Sequence, residues 1–247
     1  MKLFDAHFHV IDPAFPLVEN NGYMPDPFTT GDYLCYMASH GVDGGAIVSG
    51  SFQAFDQGYL RAALKALGPG FVGVTQIPAD TPDDDIRALY DDGVRAVRFN
   101  LFRGGSAGVD DIDRLARRVY DLVGWHSEFY VDSRSLEPLL GLLKSLPAIS
   151  IDHLGLYEDG LPNLLTLVEA GAKVKATGLG RISLDPIRVI QEIIAVDPHA
   201  LMIGTDLPST RAPRPFEFSD FDIIAAAAGE EHVEKVFWDN AANFYLT

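Results

Sequence analysis

Eight short apolar runs, evenly spaced with amphipathic stretches between them, constrain the fold of this chain more than any other feature. They are Leu3–Val10, Gly45–Ser49, Phe71–Gln76, Ala96–Asn100, Glu128–Asp132, Ser150–His153, Lys173–Thr177 and Leu201–Asp206. From His9 to Asp206 the spacing averages about 28 residues, the length of one strand-helix-strand unit. Short runs bounded by turn residues and separated by helical stretches read as parallel strands. Eight such units predict an α/β fold of the TIM (β/α)8 barrel type, one domain over residues 1–247. An open doubly wound sheet is the alternative, but no G-x-G-x-x-G turn follows an early strand to mark a nucleotide crevice. Gly178-Leu179-Gly180 is too short a signal to imply a phosphate site.

The intervening segments carry helix boundary signals. Thr81-Pro82-Asp83-Asp84-Asp85 reads as an N-cap, a proline at the first helical position and an acidic first turn, with Gly93 closing that helix. Asp185-Pro186 opens another, Gly124 ends a third, and a helix from Gly31 or Asp32 to His40 stops at Gly41. The stretch from Asp12 to Thr30, rich in Pro and Asn, is long enough for a functional loop.

Strand periodicity puts Asp5, His7 and His9 on one face of the first run and Phe4, Ala6, Phe8 and Val10 on the other. Imidazoles at i and i+2 stand roughly 6 to 7 Å apart at the backbone and could grip a divalent cation with bonds of about 2.1 Å. Two solvated histidines are the plainer alternative. His9, Ser49, Gln76, Asn100, Asp132, His153, Thr177 and Asp206 all fall at strand C-termini, where barrel enzymes assemble their sites. A carboxylate such as Asp206 after an apolar run must be paired, bound to metal or turned into a pocket, which makes it the best general-base candidate. His153 reads either as part of the same site or as a satisfied structural histidine. Barrel closure could aim Arg98, Arg103 and Arg181 at one pocket, where each fork can hold a carboxylate. Otherwise Arg98 pairs with an acid inside the barrel and the other two lie on the surface.

The formal net charge of -16 repels phosphate backbones, so nucleic acid is not an expected partner, and it makes any arginine in a pocket conspicuous. No apolar run approaches the 18 or so residues of a membrane span. Cys35 is the only cysteine, so no internal disulfide forms. Met1-Lys2 leads directly into the first run, so no signal peptide is expected. A cytoplasmic protein is expected, as monomer or homodimer. Cys35, Trp238, Phe244 and Tyr245 read as packing residues.

Several blocks resemble the amidohydrolase superfamily in order. They are Asp5-Ala6-His7-Phe8-His9-Val10 with Asp12-Pro13, Val48-Ser49-Gly50-Ser51-Phe52, Val97-Arg98-Phe99-Asn100, Gly124-Trp125-His126, Ile151-Asp152-His153-Leu154-Gly155, Lys173-Val174-Lys175, Gly204-Thr205-Asp206-Leu207-Pro208 and Asn240-Ala241-Ala242-Asn243-Phe244-Tyr245. The nearest branch is that of the lactonases typified by 2-pyrone-4,6-dicarboxylate lactonase. The resemblance implies a barrel in which His7, His9, His153 and Asp206 surround a reacting carbonyl, Asp206 deprotonating water and the histidines polarising the carbonyl. It implies that Arg98, Arg103 and Arg181 hold substrate carboxylates, with Ser51, Asn100 and Tyr130 beside them. Members with two metals place a carboxylated lysine near the end of the fourth strand, where this chain has Arg98-Phe99-Asn100. Members with one metal add a histidine from the fifth strand, where this chain has Tyr130 and Asp132. No obligate cofactor is therefore expected, although one divalent metal, zinc, could be held by His7, His9, His153 and Asp206. The expected activity is hydrolysis of a lactone, a small anionic or sugar-derived molecule. The alternatives are a metal-dependent amide hydrolase, an aromatic-acid decarboxylase, or a ligand-binding barrel without catalysis.

Overall fold

Each of the eight apolar runs overlaps a strand in the computed structural model, which describes residues 1–247. The strands are β1 (Phe4–Phe8), β2 (Gly44–Val48), β3 (Phe71–Thr75), β4 (Val94–Asn100), β5 (His126–Tyr130), β6 (Ile149–Ile151), β7 (Lys173–Ala176) and β8 (Leu201–Ile203). All are parallel and pair in sequence order. The ring is drawn together beyond β8, where Asp206 N–H donates to His7 O and His9 N–H to Leu207 O, both at 2.7 Å. The result is a nearly closed (β/α)8 barrel.

Around it lie α1 (Thr30–Met37), α2 (Gly58–Leu67), α3 (Asp83–Asp91), α4 (Ile112–Val123), α5 (Leu140–Leu143), α6 (Leu161–Glu169), α7 (Pro186–Val196), α8 (Ser219–Glu234) and α9 (Asn240–Tyr245). The main core fills the space between strands and helices. A smaller cluster of Phe4, Ala6, Ala46, Val72, Val74 and Met202, with Tyr245 of α9, packs separately from it.

Asp185 caps α7 as its sequence predicts, accepting from Ile187 N–H at 3.0 Å. Thr81 does not cap α3. Its hydroxyl donates to Pro78 O instead, and the helix begins after Pro82. Likewise α1 ends at Met37, three residues before the expected His40, and the chain turns on to Gly41 at φ +69°.

The simple alternation expected for β1 fails at its centre. Phe4 and Asp5 pair with Gly44 and Gly45, but Phe8 pairs with Ile47, so β1 carries one extra residue over that span. This is a β-bulge, which re-aims the side chains that follow it. Asp5 therefore shares a side with Phe8 and meets Tyr33 of α1, whose ring stacks on Phe8 at 3.8 Å. His7 and His9 turn instead towards Asp206.

The Asp12–Thr30 loop is ordered by two clasps. Ile11 and Phe28 exchange backbone hydrogen bonds of 2.6 and 2.8 Å at its base. Near its middle, Asn20 and Tyr23 bond to each other across Asn21 and Gly22, whose φ values are 51° and 73°. Two successive positive φ values mark a type I′ turn, for which Asn-Gly is the favoured pair.

Candidate active site

His7 and His9 leave β1, His153 follows β6, and Asp206 follows β8. The Nε2 atoms of His9, His7 and His153 lie 3.6, 3.8 and 4.0 Å from Asp206 Oδ1. His153 and Asp206 both adopt left-handed backbone conformations, φ 52° and 62°, which residues with a Cβ enter at a cost and which concentrate at functional sites. Gly178 makes the convergence possible. A Cβ there would lie 2.9 Å from Arg181 Nε and His153 Nδ1 and 3.0 Å from Asp206 Oδ2.

The outer ring nitrogens of His9 and His153 are hydrogen-bonded, and that of His7 faces a carboxylate. His9 Nδ1–H donates to Val48 O at 2.7 Å, and because a carbonyl only accepts, Nε2 keeps its lone pair. His7 Nδ1 faces Asp152 Oδ1 at 3.3 Å, which favours the same tautomer. His153 Nδ1 shares a 2.7 Å hydrogen bond with Thr177 Oγ1. Neither His7 Nε2 nor Asp206 Oδ1 has a hydrogen-bond partner, and both are buried. Nitrogen lone pairs and an anionic oxygen turned on one another without a proton between them suit a shared cation. Donors at about 2.0 to 2.2 Å from a tetrahedral zinc stand roughly 3.4 Å apart; His7, His9 and Asp206 bring donor atoms within 4.8 Å of one another, and His153 Nε2 lies 4.0 Å from Asp206 Oδ1. The residues present thus fit one divalent metal.

Burial pushes His7 down to about 4, and His153 well below the usual imidazole range, so both are neutral at pH 7. Burial works to raise Asp206, but the Arg181 guanidinium and the surrounding imidazoles hold its carboxyl far below the usual carboxylate range. Arg181 donates through Nε to Asp206 Oδ2 at 2.8 Å and also through Nη2.

Of the expected substrate-binding residues, Ser51, Arg98, Asn100, Arg103, Tyr130 and Arg181 line one small cavity with His9, His153 and Asp206. Their engagements differ. Arg98 donates to Asp152 at 2.8 Å and to Ser49 O, so it serves the ion pair inside the barrel while lining the pocket. Asn100 Oδ1 accepts Arg103 N–H at 2.9 Å, and Arg181 reaches the Tyr130 hydroxyl at 3.4 Å. Four strand-end residues fall outside this cavity: Asp132 pairs with Arg134, the Gln76 amide donates to Gly50 O and Ala54 O, Ser49 Oγ shares a hydrogen bond with the Tyr59 hydroxyl, and Thr177 Oγ1 shares one with His153. A larger, shallower concavity near Arg61, Lys65 and Arg95 contains no imidazole.

Sequence reading missed two groups. The first is Arg211 with Thr210 and Phe52 on the cavity wall. The second lies within the barrel, where Asp152 meets His7, Arg98 and, at 3.6 Å, Lys175. Lys175 also pairs with Glu128, which His126 reaches at 3.1 Å and to which the Tyr245 hydroxyl donates. Charged residues inside buried strand runs were the available signal, since such groups survive burial only when paired.

Comparison with known proteins follows the same lines. The Amidohydrolase family profile matches residues 4–246. A 2-pyrone-4,6-dicarboxylate hydrolase of Comamonas testosteroni is 28% identical over 156 residues, which is 61% of this chain and about half, 51%, of that protein. A candidate 2-pyrone-4,6-dicarboxylic acid hydrolase from Pseudomonas putida superposes with a TM-score of 0.82 at 25% identity, covering 99% of this chain and 97% of its own. Another from Acinetobacter baumannii, solved with citric acid bound, shares the fold with a TM-score of 0.85 at 21% identity over 100% of both chains.

Proposed function

The chain belongs to the amidohydrolase family, and from that premise we propose that this hydrolase opens a lactone bearing at least one carboxylate, with Asp206 as the base that activates water. The observation that carries this reading is the division of labour at Asp206. Its Oδ1 faces three imidazole nitrogens while its Oδ2 is held by Arg181.

In the resting site Arg181 suppresses the basicity of Asp206. A substrate carboxylate offers the same guanidinium a second acceptor, and bidentate Arg–carboxylate pairing favours the exchange. Asp206 Oδ2, released from its cation, then takes the proton from water attacking the ring carbonyl. The substrate's own charge thereby switches on the base. Arg98 and Tyr130 line the cavity beside this position and help to orient the ring.

The imidazoles act through Nε2. With the Nδ1 proton of His9 given to Val48 O and that of His7 drawn towards Asp152, these rings could give a proton to a developing oxyanion only as imidazolium, and burial opposes that form at His7. They serve instead as lone-pair donors, and His7, His9, His153 and Asp206 are the residues that would hold one zinc. Zinc bound there would supply a Lewis acid for the carbonyl oxygen and lower the pKa of water.

The substrate named for the relatives, 2-pyrone-4,6-dicarboxylate, is a lactone with two carboxylates and the first compound to try. A panel of carboxylated and sugar lactones, followed by proton release with and without a strong chelator, tests the proposal. Ring opening by the wild type and its loss in a folded Asp206→Asn variant are expected. Undiminished turnover in that variant refutes the role of Asp206. Failure across the lactones, with cleavage of cyclic amides or release of carbon dioxide from aromatic acids, would transfer the site to those reactions.

A further inference from the structure

The loop between β1 and α1 does not stay on its own side of the barrel. Asn20, near its tip, bonds to three other loops. Its Nδ2 donates to Arg103 O at 3.3 Å, and its Oδ1 accepts from Ser51 Oγ and Arg211 Nη1, both at 3.1 Å. Its backbone oxygen accepts a further bond from Arg211 Nη2. Ser51 follows β2, Arg103 follows β4 and Arg211 follows β8. In a ring of eight strands paired in order, β4 and β8 face each other across the axis, with β2 midway between them. A residue bonded to all three loops therefore lies over the mouth of the barrel. Its three partners all line the cavity that contains His9, His153 and Asp206.

Beneath this crossing the free space is about 30 Å³, room for about one or two waters. Ligand pockets commonly measure about 300 to 1,000 Å³, so a ring-sized molecule does not reach Asp206 while the loop lies in this position. What holds the loop down is polar. Val18 N–H donates to Phe52 O at 2.8 Å, and the Tyr23 ring sits 4.4 Å from the Arg211 guanidinium. Phe15 and Phe28 pack against the main core towards the two ends of the loop, but Val18 and Met24 near its tip are exposed, and from Asp12 to Thr30 only Pro25 is buried. A tip fastened by hydrogen bonds that water can replace, with little apolar burial, opens at low cost. The tight turn at Asn21-Gly22 keeps that tip compact, so it can lift as one piece while the Ile11–Phe28 clasp holds the base.

We propose that this loop is a lid, latched by Asn20 across the barrel mouth, and that the site exchanges ligand with solvent only when the latch is open. The proposal concerns access to the cavity and holds whichever reaction takes place there. Asn20 is a positioning residue in this scheme. Closed, the lid shields Asp206 and the imidazoles from bulk water; open, it admits substrate and releases product.

The test is timed modification by diethyl pyrocarbonate, a small electrophile that acylates unprotonated imidazole, with each histidine followed by peptide mass spectrometry. A chelator in the buffer keeps metal from masking the rings. In the wild type, His9 and His153 should react far more slowly than the exposed His199. Asn20→Ala removes three side-chain hydrogen bonds of the latch and should speed modification of His9 and His153 about tenfold. His199 should not change, nor should His126, which is buried at the opposite end of the barrel with the Phe244 ring 3.9 Å away. Wild-type His9 and His153 reacting as fast as His199 would show a mouth that is already open and overturn the lid. Unchanged rates in Asn20→Ala would overturn the latch, and an equal rise at His126 would do the same by showing that the whole fold had loosened.

Discussion

The Asp5 carboxylate accepts the backbone N–H of His7 at 3.2 Å, although the bulge turns the two side chains to different sides of β1. The same carboxylate accepts Thr205 N–H at 2.8 Å, Thr205 Oγ1–H at 2.7 Å and the Tyr33 hydroxyl at 3.0 Å. One buried acid therefore fixes β1 to the segment carrying Asp206 and holds the bulge that aims His7. Gly204 allows the approach, since a Cβ there would lie 2.7 Å from His7 N.

Replacing Asp5 should accordingly damage the site at a distance. Asp5→Ala leaves buried donors from Thr205, His7 and Tyr33 without an acceptor, and each such group costs about 1 to 3 kcal/mol. A loss of roughly 3 kcal/mol in urea unfolding is expected, with kcat reduced more than KM is raised. Asp5→Asn keeps an acceptor of the same shape and should lie between Asp5→Ala and wild type. A variant Asp5→Ala with native stability and turnover would show that the bulge holds itself.

Acid should destabilise the fold, and the sign follows from groups on both sides of the balance. Burial holds His7, His126 and His153 below the ordinary 6.5, so below that value the unfolded chain binds protons that the native one refuses. His7, held at about 4, contributes stability that falls with pH by about 1.4 kcal/mol per unit between 6.5 and 4, and His126 and His153 act in the same direction. Asp5 opposes them. Its folded value is raised to about 6 by burial, so between 6 and the ordinary 3.8 the native state binds the extra proton and gains stability as pH falls. Three groups against one leave a net loss on acidification, which chemical unfolding at pH 7 and pH 5 measures. Removing Asp5's contribution in Asp5→Asn should steepen the slope; a shallower one would contradict the assignment.

How far the sequence disclosed this arrangement depended on whether a feature was periodic. Strand spacing revealed the barrel because each run must be buried and each unit has a characteristic length, and the C-terminal position of His153 and Asp206 followed from that order. The bulge was hidden, since one inserted residue leaves the apolar pattern of Phe4, Ala6 and Phe8 unchanged while reversing which side Asp5 occupies. Arg211 was hidden for a different reason. It sits in an irregular loop, and its place at the cavity depends on Asn20, far away in the chain. The stretch from Asp12 to Thr30 was legible only as a long loop, and nothing local says what its Asn21-Gly22 turn presents.

Arg181→Gln separates the two effects assigned to that guanidinium. Without it, burial acts on Asp206 with less opposition and its carboxyl rises, so the acid limb of kcat/KM should move to higher pH. For a carboxylated lactone the variant should also lose binding, whereas a neutral lactone should lose less. An acid limb that stays in place would exclude Asp206 as the titrating base or Arg181 as its partner.

Lys175 and Glu128 offer the sharpest test of the barrel interior, because both are fully buried and pair with each other. The Tyr245 hydroxyl and the His126 ring complete the surroundings of Glu128, and Lys175 reaches Asp152 behind His7. Removing only the cation by Lys175→Met strands two carboxylates in a low-dielectric interior, at a cost of about 3 to 5 kcal/mol. Removing both charges by Lys175→Met with Glu128→Gln leaves Asp152 with Arg98 and should restore a substantial part of that loss. Chemical unfolding of the single and double variants measures the difference, and the double variant should regain stability before it regains turnover. The reason is that Lys175 also helps to fix the Asp152 carboxylate against His7, a restraint on the imidazole that neutral replacements cannot supply. Equal stability in the single variant and the wild type would mean that water or a shifted proton already neutralises Glu128.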